Sequence, residues 1–253
     1  MCRLLKWGVD TSPSQTNDGT RYKWTFEPTQ DLLCFSTELS PGIGTYARRV
    51  INSLVSSIAV EAAAREVVTS TISILGGKEK LVTPQSSPNF STLPPFVFHQ
   101  GAVSGLVTAN VEAFRFTYEN ALFEDAFALG SRFLPSVSLK PGAISLTGDL
   151  DLAFQDWATY QKFLGSASAT EPLGELTAYS LTLDLTGPSA GGAGEYSNYR
   201  FKVEIPVLYL DTSEANFDRR ERIVQAVGFT AIAPDLTTNP LVRFTIVNKL
   251  SSF

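Results

Sequence analysis

The sequence contains a single histidine, His99. A Ser-His-Asp triad would need this imidazole as its general base, but no nucleophile motif accompanies it, and a structural role is the simpler interpretation. A zinc site needs several histidine or cysteine ligands, and besides His99 the chain offers only Cys2 and Cys34. The sequence therefore predicts no metal site and no cofactor of that kind.

Two groups of carboxylates have spacings that could support chemistry. Asp149 and Asp151 alternate with leucines, so on a strand both carboxylates would point to the same side. Such a pair could hydrolyse a glycoside or bind calcium, although a solvated strand face is the simpler interpretation. Asp211, Glu214 and Asp218 resemble a set of calcium ligands but lack the spacing and the glycine of an EF-hand loop.

Two further segments are weak candidates for binding sites. The glycine-rich stretch 187–194 has no Lys-Ser or Lys-Thr at its end and opens no predicted helix, so it fails as a phosphate-binding loop. The run 219–222 combines three arginines with Glu221, which indicates a surface or an intersubunit ion-pair site. Because no constellation of catalytic residues is visible, we expect the protein not to be an enzyme.

Composition narrows the function classes further. The net charge of −5 argues against a protein that grips nucleic acid by neutralising phosphates. Charged residues make up 18% of the chain, below the usual quarter. That low share is typical of a surface covered by neighbouring subunits, and a β-rich chain with many serines and threonines explains it equally well. No signal peptide or membrane span is predicted, and a structural disulfide is not expected, so we expect assembly in a cytoplasm.

The elements that would position these residues are mostly strands. Alternation of apolar and polar residues predicts about ten of them. They cover residues 22–26, 33–38, 52–60, 68–74, 107–118, 134–139, 143–152, 176–185, 199–210, 223–232 and 241–247. One helix is predicted at 156–165, where Trp157, Tyr160 and Leu164 share a face and should pack on the sheet. The fold class is all-β and mainly antiparallel, a β-sandwich or open barrel with one short packed helix.

The clearest hairpin joins residues 52–60 to residues 68–74, with 61–66 as the crossing and a possible helical turn there. At every second position the two strands are mostly apolar, and the residues of the other parity, between them, are mostly small and polar. This pattern is typical of an antiparallel pair with one buried face. The small polar parity consists of Ser53, Val55, Ser57, Thr69, Thr71 and Ser73. We expect a single domain over 1–253, with residues 1–19 as an N-terminal arm without a core of its own and 76–105 as a long proline-rich loop.

Several segments together resemble a known family. Residues 19–26 match a Gly-Thr-x-Tyr-x-x-Thr-Phe opening strand, residues 50–54 match the start of a long hairpin, and residues 150–165 match a strand followed by a short helix ending in Leu-Gly. Residues 201–206 and 245–248 match its closing strands. The chain thus resembles the tail tube proteins of long non-contractile-tailed (siphovirus-type) bacteriophages.

The resemblance implies a structural virion protein of the phage tail, assembled in the host cytoplasm. It implies homohexameric rings that stack into a tube around a tape-measure protein, contact tail-end proteins and let DNA pass at ejection without specific binding. The small polar parity of the hairpin would then face the lumen.

Two other classes remain open from the sequence. A carbohydrate-binding β-sandwich of a virion or cell surface would use exposed aromatic rings, with Trp7, Trp24, Tyr196 and Tyr199 as candidates. A metal-dependent hydrolase would be built on the paired aspartates described above.

Overall fold

The computed structural model describes residues 1–40, 45–84, 93–107, 110–122, 129, 143–215, 223–234 and 239–252. In chain order the helices and strands are α1 (Cys2–Gly8), β1 (Ser14–Asn17), β2 (Tyr22–Phe26), β3 (Phe35–Leu39), β4 (Ala47–Ala63), β5 (Thr69–Leu75), β6 (Lys78–Val82), β7 (Gly101–Gly105), β8 (Val111–Glu119), β9 (Ser145–Ala153), α2 (Ala158–Phe163), β10 (Tyr179–Ser189), β11 (Asn198–Ala215), β12 (Val224–Ala231) and β13 (Arg243–Asn248).

All thirteen strands belong to one hydrogen-bonded network. The main path runs β1–β2–β13–β11–β12–β9–β8–β4–β3, while β10 joins β11 to β7, and β5 and β6 both pair with β4. Every strand pair on this path is antiparallel, and the sheet is open, not closed into a barrel. The predicted all-β, mainly antiparallel class is therefore confirmed.

The network folds over at β11 to form two packed layers. The first part of this 18-residue strand lies between β10 and β13, and its last part pairs with β12. We call β1, β2, β13, β10 and β7 the first layer, and β12, β9, β8, β4 and β5 the second layer. The ring of Phe244 in the first layer lies 6.2 Å from that of Phe116 and 6.3 Å from that of Tyr118 in the second. A common apolar core therefore separates the layers.

The pleat explains why this core forms. In β9, Leu146, Leu150 and Leu152 point inward and are buried, while the residues between them are exposed or half-buried. Gly148 occupies the remaining inward position, because a Cβ there would lie 2.4 Å from the ring of Phe229 on the neighbouring strand. The sequence pattern thus separates a core face from a solvent face along this strand.

The prediction of an N-terminal arm without a core was wrong. Helix α1 packs on β4, with Leu5 and Val9 fully buried, and the ring of Trp7 stacks on Phe35 at 4.5 Å. The seven residues of α1 are too few to show a clear helical period, and the polar stretch after it dominated the prediction.

The proline-rich segment 76–105 is not a continuous loop. It contains β6 and β7, which pair with β4 and β10, and a 3-10 turn at Phe98–Gln100. These strands are only five residues long and mostly exposed, so they show little alternation. Their register is supplied by the longer partner strands. Residues 85–92, and the predicted strand at 134–139, lie outside the described residues.

The long hairpin is present, with a shorter crossing than predicted. Strand β4 continues to Ala63, and the chain reverses with Arg65 at a φ of 73°, so no helical turn forms at 61–66. Between Val55 and Ser57 the register against β5 shifts by one residue. This bulge at Ser56 changes which parity faces the core.

Candidate functional surface

The solvent side of the second layer is a broad surface of small and polar side chains. Direct cross-strand partners align Thr71, Ala59, Thr117, Thr147 and Thr230 in one row across five strands. Neighbouring rows add further small or charged residues. We call this surface the polar face; it comprises Thr69, Thr71, Ser73, Ser57, Ala59, Glu61, Ala113, Arg115, Thr117, Glu119, Ser145, Thr147, Asp149, Asp151, Ala226 and Thr230.

The polar face is acidic. Glu61, Glu119, Asp149 and Asp151 supply four carboxylates, and Arg115 is the one cation among the residues that define the face. The Arg115 guanidinium is itself paired with Glu61, Nε to Oε2, at 2.8 Å. Carboxylates therefore outnumber cations over an area several strands wide, and this surface repels phosphate at neutral pH.

The carboxylates of the polar face lie around an open depression of the surface. Asp149 and Asp151 share a side of β9, as the alternation predicted, and line an open depression with Glu61 and Glu66. Within the described ranges, no group of three or more potential ligands could hold a metal ion. His99 is exposed on its 3-10 turn. Asp218, from the other acidic group, lies outside the described residues.

The structure divides the six small residues predicted to line a channel. Ser57, Thr69, Thr71 and Ser73 lie on the polar face, and their orientation toward a lumen remains a proposal. Ser53 and Val55, in contrast, are fully buried within the subunit. Both residues lie before the bulge at Ser56, in a part of β4 whose two faces are covered. They therefore cannot line a channel.

Sequence reasoning missed the contribution of β8, β9 and β12 to this surface. The alternation of Arg115, Thr117 and Glu119 with buried aromatics was visible in the sequence. Only the strand register, however, shows that these side chains continue the surface of the hairpin.

The predicted packing helix is shorter and less buried than its pattern indicated. Trp157 precedes α2 and is 53% exposed, with its ring edge-on to Phe154 at 5.2 Å and to Tyr160 at 5.6 Å. Tyr160 and Leu164 are half-buried, and the one fully covered residue of α2 is Thr159. The helix lies against β11.

Two edges of the second layer have no strand partner among the described residues. One is formed by β5 and β6, which run consecutively along the same side of β4. The other is the last part of β11, residues 209–215, beyond the end of its pairing with β10. Unpaired strand edges are templates for association with another chain.

Two of the four aromatic residues proposed for a sugar-binding surface are tied into the fold. Trp24 is buried and donates a hydrogen bond from Nε1 to the carbonyl of Leu250. Trp7 is half-buried, and its ring stacks on Phe35. The buried indole of Trp24 is not accessible for stacking on a sugar ring, and Phe35 covers one face of Trp7.

Comparison with known proteins identifies the family. The family model described as phage tail tube protein matches residues 7–231, most of the chain. No curated protein matches the sequence. Within the described ranges, no helix is long and apolar enough to cross a membrane. The family is structural and non-enzymatic, and its members assemble with other proteins into the virion tail. The chain belongs to the phage tail tube protein family.

Proposed function

We propose that this protein forms hexameric rings that stack into the tail tube of a siphovirus-type phage, the conduit through which DNA leaves the particle. The observation that carries this proposal is the acidic polar face on the second layer, in a chain that belongs to the tail tube family. The tube would assemble in the host cytoplasm around a tape-measure protein and end on other tail proteins.

The strand order supports closure of the second layer between copies. The path β5–β4–β8–β9–β12–β11 has six strands, and each adjacent pair is antiparallel. Since the number is even, β5 and β11 run in opposite directions. The β5 edge of one copy and the β11 edge of the next can therefore pair antiparallel, and repetition around a ring removes both open edges.

The polar face is suited to the lumen of such a ring. DNA carries about one negative charge per 1.7 Å of helix axis, so a cationic wall would hold it through many phosphate contacts. A wall of small hydroxyl side chains and carboxylates offers no such contacts. Ser57, Thr69, Thr71 and Ser73 contribute to this wall together with Thr117 and Thr147 of β8 and β9.

Cysteine labelling tests the proposal directly. In a Cys34→Ser background, Thr147→Cys lies on the polar face, and Thr186→Cys is a matched control on an exposed position of β10. Concentrated protein should form rings and tubes in negative-stain micrographs. In tubes, a maleimide carrying a large polymer should modify the control readily and Thr147→Cys at least tenfold more slowly, whereas dissociated subunits react alike. A monomer at all concentrations, or equal labelling in tubes, would contradict the proposal.

A further inference from the structure

The two free edges of the second layer are equal in length. On β5, the edge that faces away from β4 spans Thr69–Leu75, seven residues, and has no strand partner among the described residues. On β11, the free edge comprises residues 209–215, also seven, because β10 pairs with this strand only as far as Leu208. Since the six strands from β5 to β11 alternate in direction, a β5 edge and a β11 edge can overlap along their whole length in antiparallel pairing.

Pairing within the subunit fixes the side of the sheet that each β5 residue faces. Ile72 packs against the core, and Ile74, two positions further on, shares its side. Thr71 and Ser73, between and beside them, lie on the polar face. When two edges join into one continuous sheet, the core-side residues of one must stand opposite the core-side residues of the other.

The free edge of β11 contains one irregularity. Its register against β12 skips Asp211, which is therefore an extra residue between Leu210 and Thr212. Leu210 and Ser213 are buried on the core side, whereas Thr212 and Glu214 are exposed on the side of the polar face. A strand that joins this edge must accommodate the same extra residue if its own sides are to match.

We propose that β5 of one copy pairs antiparallel with β11 of the next in the register that places Ile74 opposite Leu210. With Asp211 as the extra residue, this register pairs positions of like side throughout: Ser73 with Thr212, Ile72 with Ser213, Thr71 with Glu214 and Ser70 with Ala215. A slip by one residue would put core-side residues opposite polar-face residues, and a slip by two would leave part of each edge unpaired. The inference rests on the ring assembly proposed above and names the join between its copies.

The same register gives Ile74 an apolar counterpart. In the single subunit Ile74 is 41% exposed, although it lies on the core side of the sheet. Leu210, its proposed partner, is part of the wall of an open depression that also includes Leu173 and Leu176, which are 46% and 58% exposed. The join would bring Ile74 to this depression, so that apolar side chains of both copies leave water at one contact. Strand direction, edge length and the order of side chains thus all indicate a second copy of this chain as the partner.

Oxidation of paired cysteines in tubes tests the register. In a Cys34→Ser background, Thr71→Cys with Glu214→Cys places two thiols directly opposite each other, with Cα atoms about 4.5–5.5 Å apart, which suits a disulfide. Thr71→Cys with Thr212→Cys is the matched control, because both residues lie on the same face but are diagonal neighbours at roughly 7 Å. The first pair should give a ladder of covalent oligomers, and the control pair should give little or none. Each cysteine alone should give none, because a contact between unlike edges does not place a residue against itself.

A serine substitution tests the apolar contact. Ile74→Ser should raise the protein concentration needed for half-assembly by about tenfold or more, since it removes apolar surface buried between copies. Val67→Ser is the matched control, at a residue of similar exposure (43%) that precedes β5 and is already bridged to Val97. It should leave that concentration within about twofold of the parent value. Urea unfolding of the dilute subunits checks that both variants fold. Equal effects of the two substitutions, or none for Ile74→Ser, would overturn the apolar contact.

The outcomes separate this join from the tube function. If tubes form but Thr71→Cys with Glu214→Cys stays unlinked, or if the control pair links equally well, the join is wrong while the tube function stands. A covalent dimer from Thr71→Cys alone would show that β5 pairs with β5 of another copy, which also contradicts the join. If the parent protein forms neither rings nor tubes, both proposals fall.

Discussion

Glu61 and Arg115 are direct cross-strand partners on the polar face, with Oε2 and Nε 2.8 Å apart. Both side chains are largely open to water, at 42% and 62% of their full exposure. Ion pairs in such positions are screened and contribute little to the free energy of unfolding. Their main effect is on charge, because Glu61 neutralises the cation of this surface.

The first prediction follows from that pair. Arg115→Ala should change the free energy of unfolding by less than about 0.5 kcal/mol, since the charge is exposed. Urea titration of the isolated subunit measures the change, with Arg115→Lys as the matched control. A loss above about 1.5 kcal/mol would mean that the pair is far less solvated than its exposure indicates. Assembly should be retained in both variants, because Arg115→Ala makes the polar face only more acidic and Arg115→Lys leaves its charge unchanged.

The second prediction concerns passage of DNA. Ser57→Lys with Thr71→Lys would repeat positive charge around and along the proposed lumen, and each neutralised phosphate releases counterions. Phage carrying both lysines should have normal tails and slowed ejection, with the defect relieved at higher salt. The control pair Thr182→Lys and Thr186→Lys adds the same charge to β10 of the first layer. If tails that carry Ser57→Lys and Thr71→Lys eject DNA normally at low salt, the polar face does not line the lumen.

The third prediction concerns the buried hydroxyl of Tyr118, which has no hydrogen-bond partner within the described part of the chain. Tyr118→Phe removes that unsatisfied group, so at neutral pH it should leave the free energy of unfolding unchanged or raise it by up to about 1 kcal/mol. A loss above about 1 kcal/mol would show that the hydroxyl is satisfied.

Tyr118 also makes the free energy of unfolding depend on pH in the alkaline range. Burial, together with the charge of Asp10, raises the pKa of Tyr118 above its ordinary value. In the unfolded chain Tyr118 ionises near pH 10, whereas in the folded protein it stays protonated at that pH. The contribution of Tyr118 to the free energy of unfolding is therefore fully present below pH 10 and is lost as the pH rises further. Between pH 9 and 11 the parent should lose about 1 kcal/mol more than Tyr118→Phe. If the free energies of unfolding of the parent and of Tyr118→Phe fall in parallel over this pH range, the prediction is wrong.

The fourth prediction concerns the seating of α1. Gly8 lies so close to β4 that an added Cβ would be 2.8 Å from Cγ1 of Val55. Gly8→Ala should therefore cost about 1–3 kcal/mol through overpacking. Val55→Ala opens space at the same point, so the double variant should be less destabilised than the sum of the single changes. Additive losses would show that α1 can shift away from the sheet.

The fifth prediction separates α2 from the core. Trp157 is half-exposed, so Trp157→Ala should cost only about 1–2 kcal/mol, mostly through its edge-on contacts with Phe154 and Tyr160. Phe229→Ala, at a fully packed position between the layers, should cost about 3–5 kcal/mol. Thermal or urea unfolding of the two variants compares them. Equal losses would mean that α2 is part of the core.

Alternation predicted the strands that have one buried and one wet face. The β9 pattern, with leucines at 146, 150 and 152, gave the correct side for Asp149 and Asp151 because the pleat alone decides it. The same reasoning failed at Ser53 and Val55. A bulge shifts the parity within β4, and α1 covers the side that alternation assigned to water.

The full extent of the polar face could not be predicted from the sequence, because it depends on pairing between strands that are distant in the chain. Thr71 and Thr147 are 76 positions apart in the chain, and only the pairing of β4 with β8 and of β8 with β9 places them in one row. The short strands β6 and β7 lack a pattern of their own and form because longer partners supply their register.

Strand β11 gives the subunit a mechanical property. Because one continuous backbone is hydrogen-bonded into both layers, the layers cannot slide past each other without breaking ladder bonds at β10, β12 or β13. Close-packed interiors also transmit strain instead of absorbing it. Each subunit therefore behaves as a stiff block, and the compliance of a long filament built from it resides at the contacts between copies.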